Sequence, residues 1–468
     1  MLKTCLKLHR NKLKANTTEE QKLFVMLKLI PQADIAKTRS PVALALVIDT
    51  SSSMQEFVDQ KKAEKEISRR GLKGQQEKTK DGTYQSFNLS QDTKLKQAIK
   101  AGQTLIDDQR LIQEDKVTVI HFDDEGKTLL PLTTLSNKQD AYQAISELDR
   151  YSGGTQMSQG MLCAQKELSE LPAQEAKRVL ILTDGRTFDE SECESLASQF
   201  AKSNTPLITI GIGEYYNEEL LLKLSEISQG RPYHLEEISQ LSEIFKLEVG
   251  STVKEVVTNL QATISTVKGV KLESIARVYP SLSEVDITNS KKCMLGNIIA
   301  GDYTVFILEL IVSKIERPPS RVRIAQVGLV GNAPALGRRE EFSVLDLFIE
   351  FTTDEKAWGD VDDEVLGYVQ QKNLDRITLS ALQQVSVNPQ KAQQALETAK
   401  NITKTQGNSA ATKMLENASD ELNKTGTISP KTLKTLRLGG RTKTIRMGET
   451  QQMDNMLSPD EIRRATGA

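Results

Sequence analysis

The chain has 468 residues, 38% hydrophobic and 26% charged, with a formal net charge of -2. That length exceeds one ordinary core and points to two or three domains, while the near-neutral balance argues against a protein held to nucleic acid by bulk positive charge. Four cysteines, at 5, 163, 193 and 293 and without CxxC spacing, exclude a disulfide scaffold and fit a reducing compartment.

The opening stretch, MLKTCLKLHRNKLKANTTEEQ, has no continuous apolar run of the signal-peptide kind. VALALVI at 42–48 is too short to span a bilayer. A cytoplasmic protein without a membrane span is therefore expected. Within 1–40, LKLHRNKL (6–13) and QKLFVMLKLIP (21–31) read as two strands, and an isolated pair is marginal in water.

Residues 41–247 alternate strands with helices. VALALVID (42–49), VTVIHF (117–122), RVLILTD (178–184) and PLITIGIG (206–213) are β-branched and nearly continuous, as strands of a parallel sheet covered on both faces should be. Helical stretches over 94–108, 141–148, 157–170, 193–203 and 219–228 separate or follow them. The pattern predicts an α/β domain with a doubly wound, mainly parallel sheet, whose binding residues gather at the carboxyl ends of the strands.

Three of those ends carry oxygen-bearing or glycine-rich loops. Asp49-Thr50-Ser51-Ser52-Ser53 follows the first strand, Gly153-Gly154-Thr155 enters the 157–170 helix, and Asp184-Gly185 follows RVLILT. Carboxylates and hydroxyls are hard ligands suited to Mg²⁺, with Mn²⁺ or Ca²⁺ as alternatives. A lone Asp-Thr-Ser-Ser-Ser run reads as a turn or helix cap. Its combination with GGT and LTDG is what points to a metal.

DTSSSM, GGT and LTDG, in this order on these strand ends, resemble the metal-ion-dependent adhesion site of the von Willebrand factor type A (VWA) domain. The resemblance implies hydroxyl ligands from Ser51, Ser53 and Thr155, with Asp49 and Asp184 close by and acting through waters. An exposed Asp or Glu of a partner protein would complete the shell. Ser52 stands where the family often has glycine; with Gly154 and Gly185 it belongs to the expected ligand surface.

An insertion over 55–92 separates DTSSSM from the helix starting at Lys94. Its charges are mixed in sign, so no nucleic-acid patch emerges. It should leave the same rim as Asp49, as an inert loop or as a recognition element anchored by Tyr84 and Phe87.

Residues 248–353 read as strands with turn signals, a β-sandwich that the two strands of 1–40 would join, with the α/β domain inserted between them. This layout resembles bacterial A-domain proteins similar to inter-alpha-trypsin-inhibitor heavy chains and calcium-activated-channel-like proteins. A helical hairpin or small bundle is expected over 359–427, packed on the β domain, and a flexible basic tail over 428–468. Within that tail TKTIRM (442–447) resembles threonine-containing tails modified by bacterial Ser/Thr kinases, with Thr442 or Thr444 as acceptor.

Phosphate-cradling GxxxxGK is absent, and so is a GxGxxG after a strand. The three histidines, His9, His121 and His234, form no metallohydrolase pattern, and the serines at 51 and 53 have no evident base. The expected function is a non-enzymatic, metal-dependent protein-binding scaffold, linked to a kinase or a phosphothreonine-binding module. The alternative is an adaptor subunit of a MoxR- or chelatase-like AAA+ ATPase.

Overall fold

Val42–Asp49 is buried along its whole length because parallel strands pair with it on both edges and helices cover both of its faces. The structure is a computed structural model. It describes residues 2–32, 40–79, 82–87, 89, 91–172, 175–313, 319–354 and 361–447. The chain divides into two units, Thr38–Glu255 and a second one built from the segments on either side.

In the first unit, six strands lie in the order Arg231–Leu235, Leu207–Ile212, Ala176–Thr183, Val42–Asp49, Lys116–Phe122, Gly126–Thr134. The first five are parallel and the last is antiparallel. Side chains alternate between the faces. Leu44, Leu46, Ile48, Leu180 and Leu182 join a core with helices Lys94–Ile106, Lys138–Glu147 and Leu241–Thr252. Helix Met157–Leu168 covers the opposite face, and Gly160 lets it come close. A Cβ at Gly160 would sit 2.8 Å from both Val47 Cγ1 and Phe122 Cδ1.

The edge strand Gly126–Thr134 did not stand out in the sequence because it is half-exposed and carries Pro131, which an edge tolerates. Helix Leu241–Thr252 also corrects the expected change to β structure at 248. Its buried residues include Leu241, Ile244, Phe245 and Val249, and the helical spacing carries through to Thr252.

The second unit has two five-stranded sheets. One runs Leu2–Leu8, Gln21–Pro31, Thr304–Val312, Val270–Tyr279, Ser283–Val285. The other runs Cys293–Ile299, Glu255–Thr266, Ser320–Ala333, Arg338–Thr352, Lys12–Lys14. Leu23, Val25 and Leu27 share one apolar cluster with Leu260, Ala262, Leu329 and Ile349 of the opposite sheet. The residues between them, Phe24 and Met26, turn the other way and pack with Val365, Tyr368 and Val369 of helix Asp363–Gln384. Both faces of this strand are therefore buried along Leu23–Leu27, which is why that stretch is an unbroken apolar run.

Helices Pro389–Thr405 and Ser409–Thr425 complete the helical segment. Asn388 and Asn408 cap them by accepting from Lys391 N and Ala411 N, at 3.0 and 3.1 Å. No helix among the described residues is long and apolar enough to cross a membrane.

The expected flexible basic tail over 428–468 is corrected as far as residue 447; residues 448–468 lie outside the described residues. Pro430–Lys434 is a helix, Thr435–Gly439 a π turn and Gly440–Thr442 a short helix. The following segment docks by backbone hydrogen bonds: Ile445 N donates to Gln371 Oε1 and Met447 N to Tyr368 Oη, both at 3.1 Å. Its basic residues find partners, Arg441 on Asp375 and Arg446 on Asp302, each at 3.0 Å. Composition alone reads those charges as solvated, whereas pairing holds them down.

His9 is buried between Arg10, whose Nε donates to its Nε2 at 2.8 Å, and Phe24, whose backbone N donates to its Nδ1 at 3.0 Å. Burial, then the Arg10 charge, lowers its pKa from 6.5 to about 3. Its neutral form supports the fold fully above pH 6.5, and that contribution falls away as pH drops towards 3, by at most about 1.4 kcal/mol per pH unit. In urea titrations at several pH values, the stability advantage of wild type over His9→Gln should shrink below pH 6.5. Gly160→Val should destabilise the α/β unit by about 1–3 kcal/mol through overpacking, read as a lower denaturation midpoint.

Candidate functional site

The strands of the α/β unit are laid down outward in one direction from Val42–Asp49 and then, from Ala176–Thr183, in the other. The two strands on either side of that reversal are neighbours, so the loops leaving their carboxyl ends separate and open a crevice. Asp49 ends one strand and Asp184 immediately follows the other.

Asp49 is completely buried. Its Oδ1 accepts from Ser51 N at 2.8 Å and its Oδ2 from Thr183 Oγ1 at 2.5 Å. These bonds turn the Ser51–Ser53 loop back over the strand end. Ser51 Oγ and Ser53 Oγ lie 3.1 Å apart, and Ser53 Oγ donates to Asp184 Oδ1 at 2.6 Å. Thr155 is brought in from its own loop, where its carbonyl accepts from Thr187 Oγ1 at 3.2 Å and Phe188 N at 3.4 Å.

Gly185 borders the same space. A Cβ there would stand 3.5 Å from Thr155 Oγ1 and 3.7 Å from Ser53 Oγ, so both hydroxyls face one small volume that a side chain would fill. Asp49, Ser51, Ser53, Thr155 and Asp184 thus meet around one point. Ser52 turns away: its Oγ lies 3.2 Å from Gly153 O and from Ser152 Oγ, while Ser52 N donates to Gly153 O at 3.0 Å, tying the two loops. Gly154 lies buried within the Thr155 loop.

The donor set fits a hard divalent cation. Adjacent vertices of a magnesium octahedron are about 3 Å apart, close to the Ser51–Ser53 separation. Burial first, and then the neighbouring Asp184, push the Asp49 carboxyl up to about 7. That is an electrostatic deficit which a cation would relieve. Among the described residues no three His, Cys, Asp or Glu side chains form a metal-holding cluster; this set combines two carboxylates with neutral hydroxyls.

Lys94, the first residue of its helix, was not foreseen as a member. Its Nζ lies 2.7 Å from Asp184 Oδ2 and 2.8 Å from Glu56 Oε2. Burial works against the ammonium, but Asp184 and Glu56 outweigh it and raise its pKa. The signal available in sequence was only a lysine at the start of the first helix after the insertion. Phe188 was also missed: it is 73% exposed beside Thr155, and exposed aromatics are enriched where proteins bind one another.

Phe87 does not join this cluster. Tyr84 lies in the hairpin strand Gly82–Ser86, paired with Glu77, and Phe87 lines an adjoining groove. Of the two threonines singled out in the C-terminal segment, Thr444 Oγ1 donates to Pro280 O at 2.6 Å and Thr442 Oγ1 to Gly439 O at 3.3 Å.

The von Willebrand factor type A domain family matches residues 43–247, and a Sll0103-like C-terminal alpha-helical domain matches 363–446. The uncharacterized protein sll0103 of Synechocystis sp. is 25% identical over 266 residues, 54% of this chain and 61% of that protein. The chain thus spans about three-fifths of the length of that curated relative. A von Willebrand factor type A structure from Catenulispora acidiphila superposes with a TM-score of 0.72 at 17% identity, covering 95% of this chain and 97% of that one. The ArnB paralog VWA2 from Sulfolobus acidocaldarius gives 0.56 at 17% identity, covering 95% and 99%. The α/β unit has the VWA fold, and a separate all-helical segment follows the β sheets.

Removing a donor should be visible without any partner. In titrations followed by electron paramagnetic resonance of free Mn²⁺, Ser53→Ala and Thr155→Ala should each weaken binding by about tenfold or more. Lys94→Met should strengthen it, because the ammonium no longer competes for Asp184.

Proposed function

We propose that this protein is a non-enzymatic scaffold that binds a partner protein through a divalent cation, Mg²⁺ first among the candidates, held by Ser51, Ser53 and Thr155 with Asp49 and Asp184 behind them. The observation that carries this reading is the meeting of three hydroxyls and two buried carboxylates at the reversal of strand order. VWA domains are protein-interaction modules, and the match over residues 43–247 supports the same role here.

The hydroxyls are neutral, and Asp184 already shares its charge with Lys94. A cation held there keeps much of its charge for one more oxygen, and an exposed Asp or Glu supplies the strongest such ligand. No proton transfer or covalent step is required. The chain's own work is to hold the hydroxyls in register, keep Asp49 out of water and present Phe188 at the rim. The resemblance to inter-alpha-trypsin-inhibitor-heavy-chain-like proteins belongs to this reading, with the β and helical unit as the body that carries the binding domain.

The test is affinity capture with the full chain in Mg²⁺ and in EDTA, with wild type and Thr155→Ala compared by quantitative mass spectrometry. The expected result is a defined partner retained by wild type in Mg²⁺ and lost in EDTA and with the variant. Its binding to wild type should also fall when its exposed acidic residue is changed to the amide. A partner set identical under all conditions would refute cation-dependent capture.

A further inference from the structure

Lys94 stands between the buried and the exposed side of the candidate site, and the backbone holds it there. Glu56 N donates to Ser53 O at 3.1 Å, and Lys94 N donates to Glu56 O at 3.0 Å. Phe57 bridges Thr93, which caps the Lys94–Ile106 helix by accepting from Lys96 N at 3.2 Å. The Lys94 ammonium reaches Asp184 Oδ2 at 2.7 Å on one side and Glu56 Oε2 at 2.8 Å on the other. Exposure rises in that order: the Asp184 side chain is wholly covered, Lys94 is 17% exposed and Glu56 44%. An ammonium has three donors, and the third is directed only at Ser53 O, at a long 3.5 Å.

Glu56 thus shows that a carboxylate can sit on the outer side of Lys94. The charges favour one carboxylate in that place. With Asp49 and Asp184 ionised, a divalent cation and Lys94 together exceed them by one positive charge, and Glu56 cancels that surplus from within the chain. A second acid brought beside Lys94 would be repelled by the first. Glu56 is the one free to leave. Its side chain is nearly half in water, and its contact with Gln60 Nε2 is 3.4 Å long. Asp184 is covered and accepts from Ser53 Oγ at 2.6 Å.

We propose that Lys94 is a specificity-determining residue that grips the partner's acid alongside the cation, and that Glu56 is an internal surrogate which occupies Lys94 until that acid replaces it. Lys94 has this role only if the cation site is the acid-binding centre proposed above. Its charge then has two opposed effects: it competes with the cation for Asp184, and it attracts the acid that the cation binds. A residue that merely supported the fold would not separate the two.

The test uses the full-length protein loaded with Mn²⁺ and acetate as the carboxylate probe, with chloride keeping the ionic strength constant. Acetate that replaces water on the bound ion lowers the water-proton relaxation enhancement, and the midpoint of that fall gives its affinity. Glu56→Gln should bind acetate about threefold or more tightly than wild type. Lys94→Met should bind Mn²⁺ more tightly but acetate about tenfold more weakly, and Lys94→Arg should regain most of the acetate affinity. Wild-type acetate affinity in either Glu56→Gln or Lys94→Met overturns the exchange on Lys94 and leaves acid binding at the cation standing. Acetate affinity that rises with Mn²⁺ affinity in Lys94→Met also overturns it, because Lys94 then acts only through the ion. Glu56→Gln alters an exposed side chain and decides alone if Lys94→Met fails to fold. Relaxation in wild type that acetate never changes refutes acid binding at the cation, and the exchange with it.

Discussion

Parallel neighbours cannot be joined by tight turns; each pair needs a crossover, and each crossover carries the chain across one face of the sheet. In the α/β unit the crossovers run one way from Val42–Asp49 and the other way from Ala176–Thr183. At that reversal two strand ends emerge with no helix closing over the gap between them. Everything at the candidate site depends on this: Asp49 and Asp184 become neighbours although 134 residues separate Thr183 from its hydrogen-bond partner Asp49. The serine loop folds back over Asp49, and Thr155 approaches from the side because Gly160 lets its helix sit directly on Val47 and Phe122.

Two carboxylates forced together out of water need compensation. Asp49 receives it from dipoles, the Ser51 amide and the Thr183 hydroxyl, and Asp184 from the Lys94 ammonium and the Ser53 hydroxyl. The two carboxylates are held in different ways. One carboxylate is immobilised deep in the unit, while the other is held by a side chain that also reaches the more exposed Glu56.

Much of this was legible in the sequence, for particular physical reasons. Strands buried on both faces are written as uninterrupted β-branched runs, and VALALVID and RVLILT are of that kind. The loops after Asp49 and Thr183 stood out because oxygen donors and glycine cluster there, and so did Gly153–Thr155, which the structure places between two helices and not at a strand end. Lys94 did not stand out, since a lysine at a helix start has no intrinsic signature and its partner Asp184 is distant in the chain. The edge strand Gly126–Thr134 was hidden by its exposure, and the segment after Pro430 by its charge. Arg441 and Arg446 look solvated until Asp375 and Asp302 are placed opposite them. Pairing of that kind is a tertiary fact, which composition does not contain.

The unit assembled from the two flanking segments has a consequence for the order in which the chain can fold. Gln21–Pro31 pairs with Leu2–Leu8 at once, but its other edge waits for Thr304–Val312, and the far wall of its core waits for strands still later in the chain. During synthesis the intervening α/β unit can close on itself while the early hairpin keeps Leu23, Val25, Leu27 and Leu29 uncovered. An apolar strand edge with a delayed partner is a hazard for mispairing. The topology that carries the α/β unit thus makes the strands of Leu2–Pro31 among the last to be buried, although they precede it in the chain.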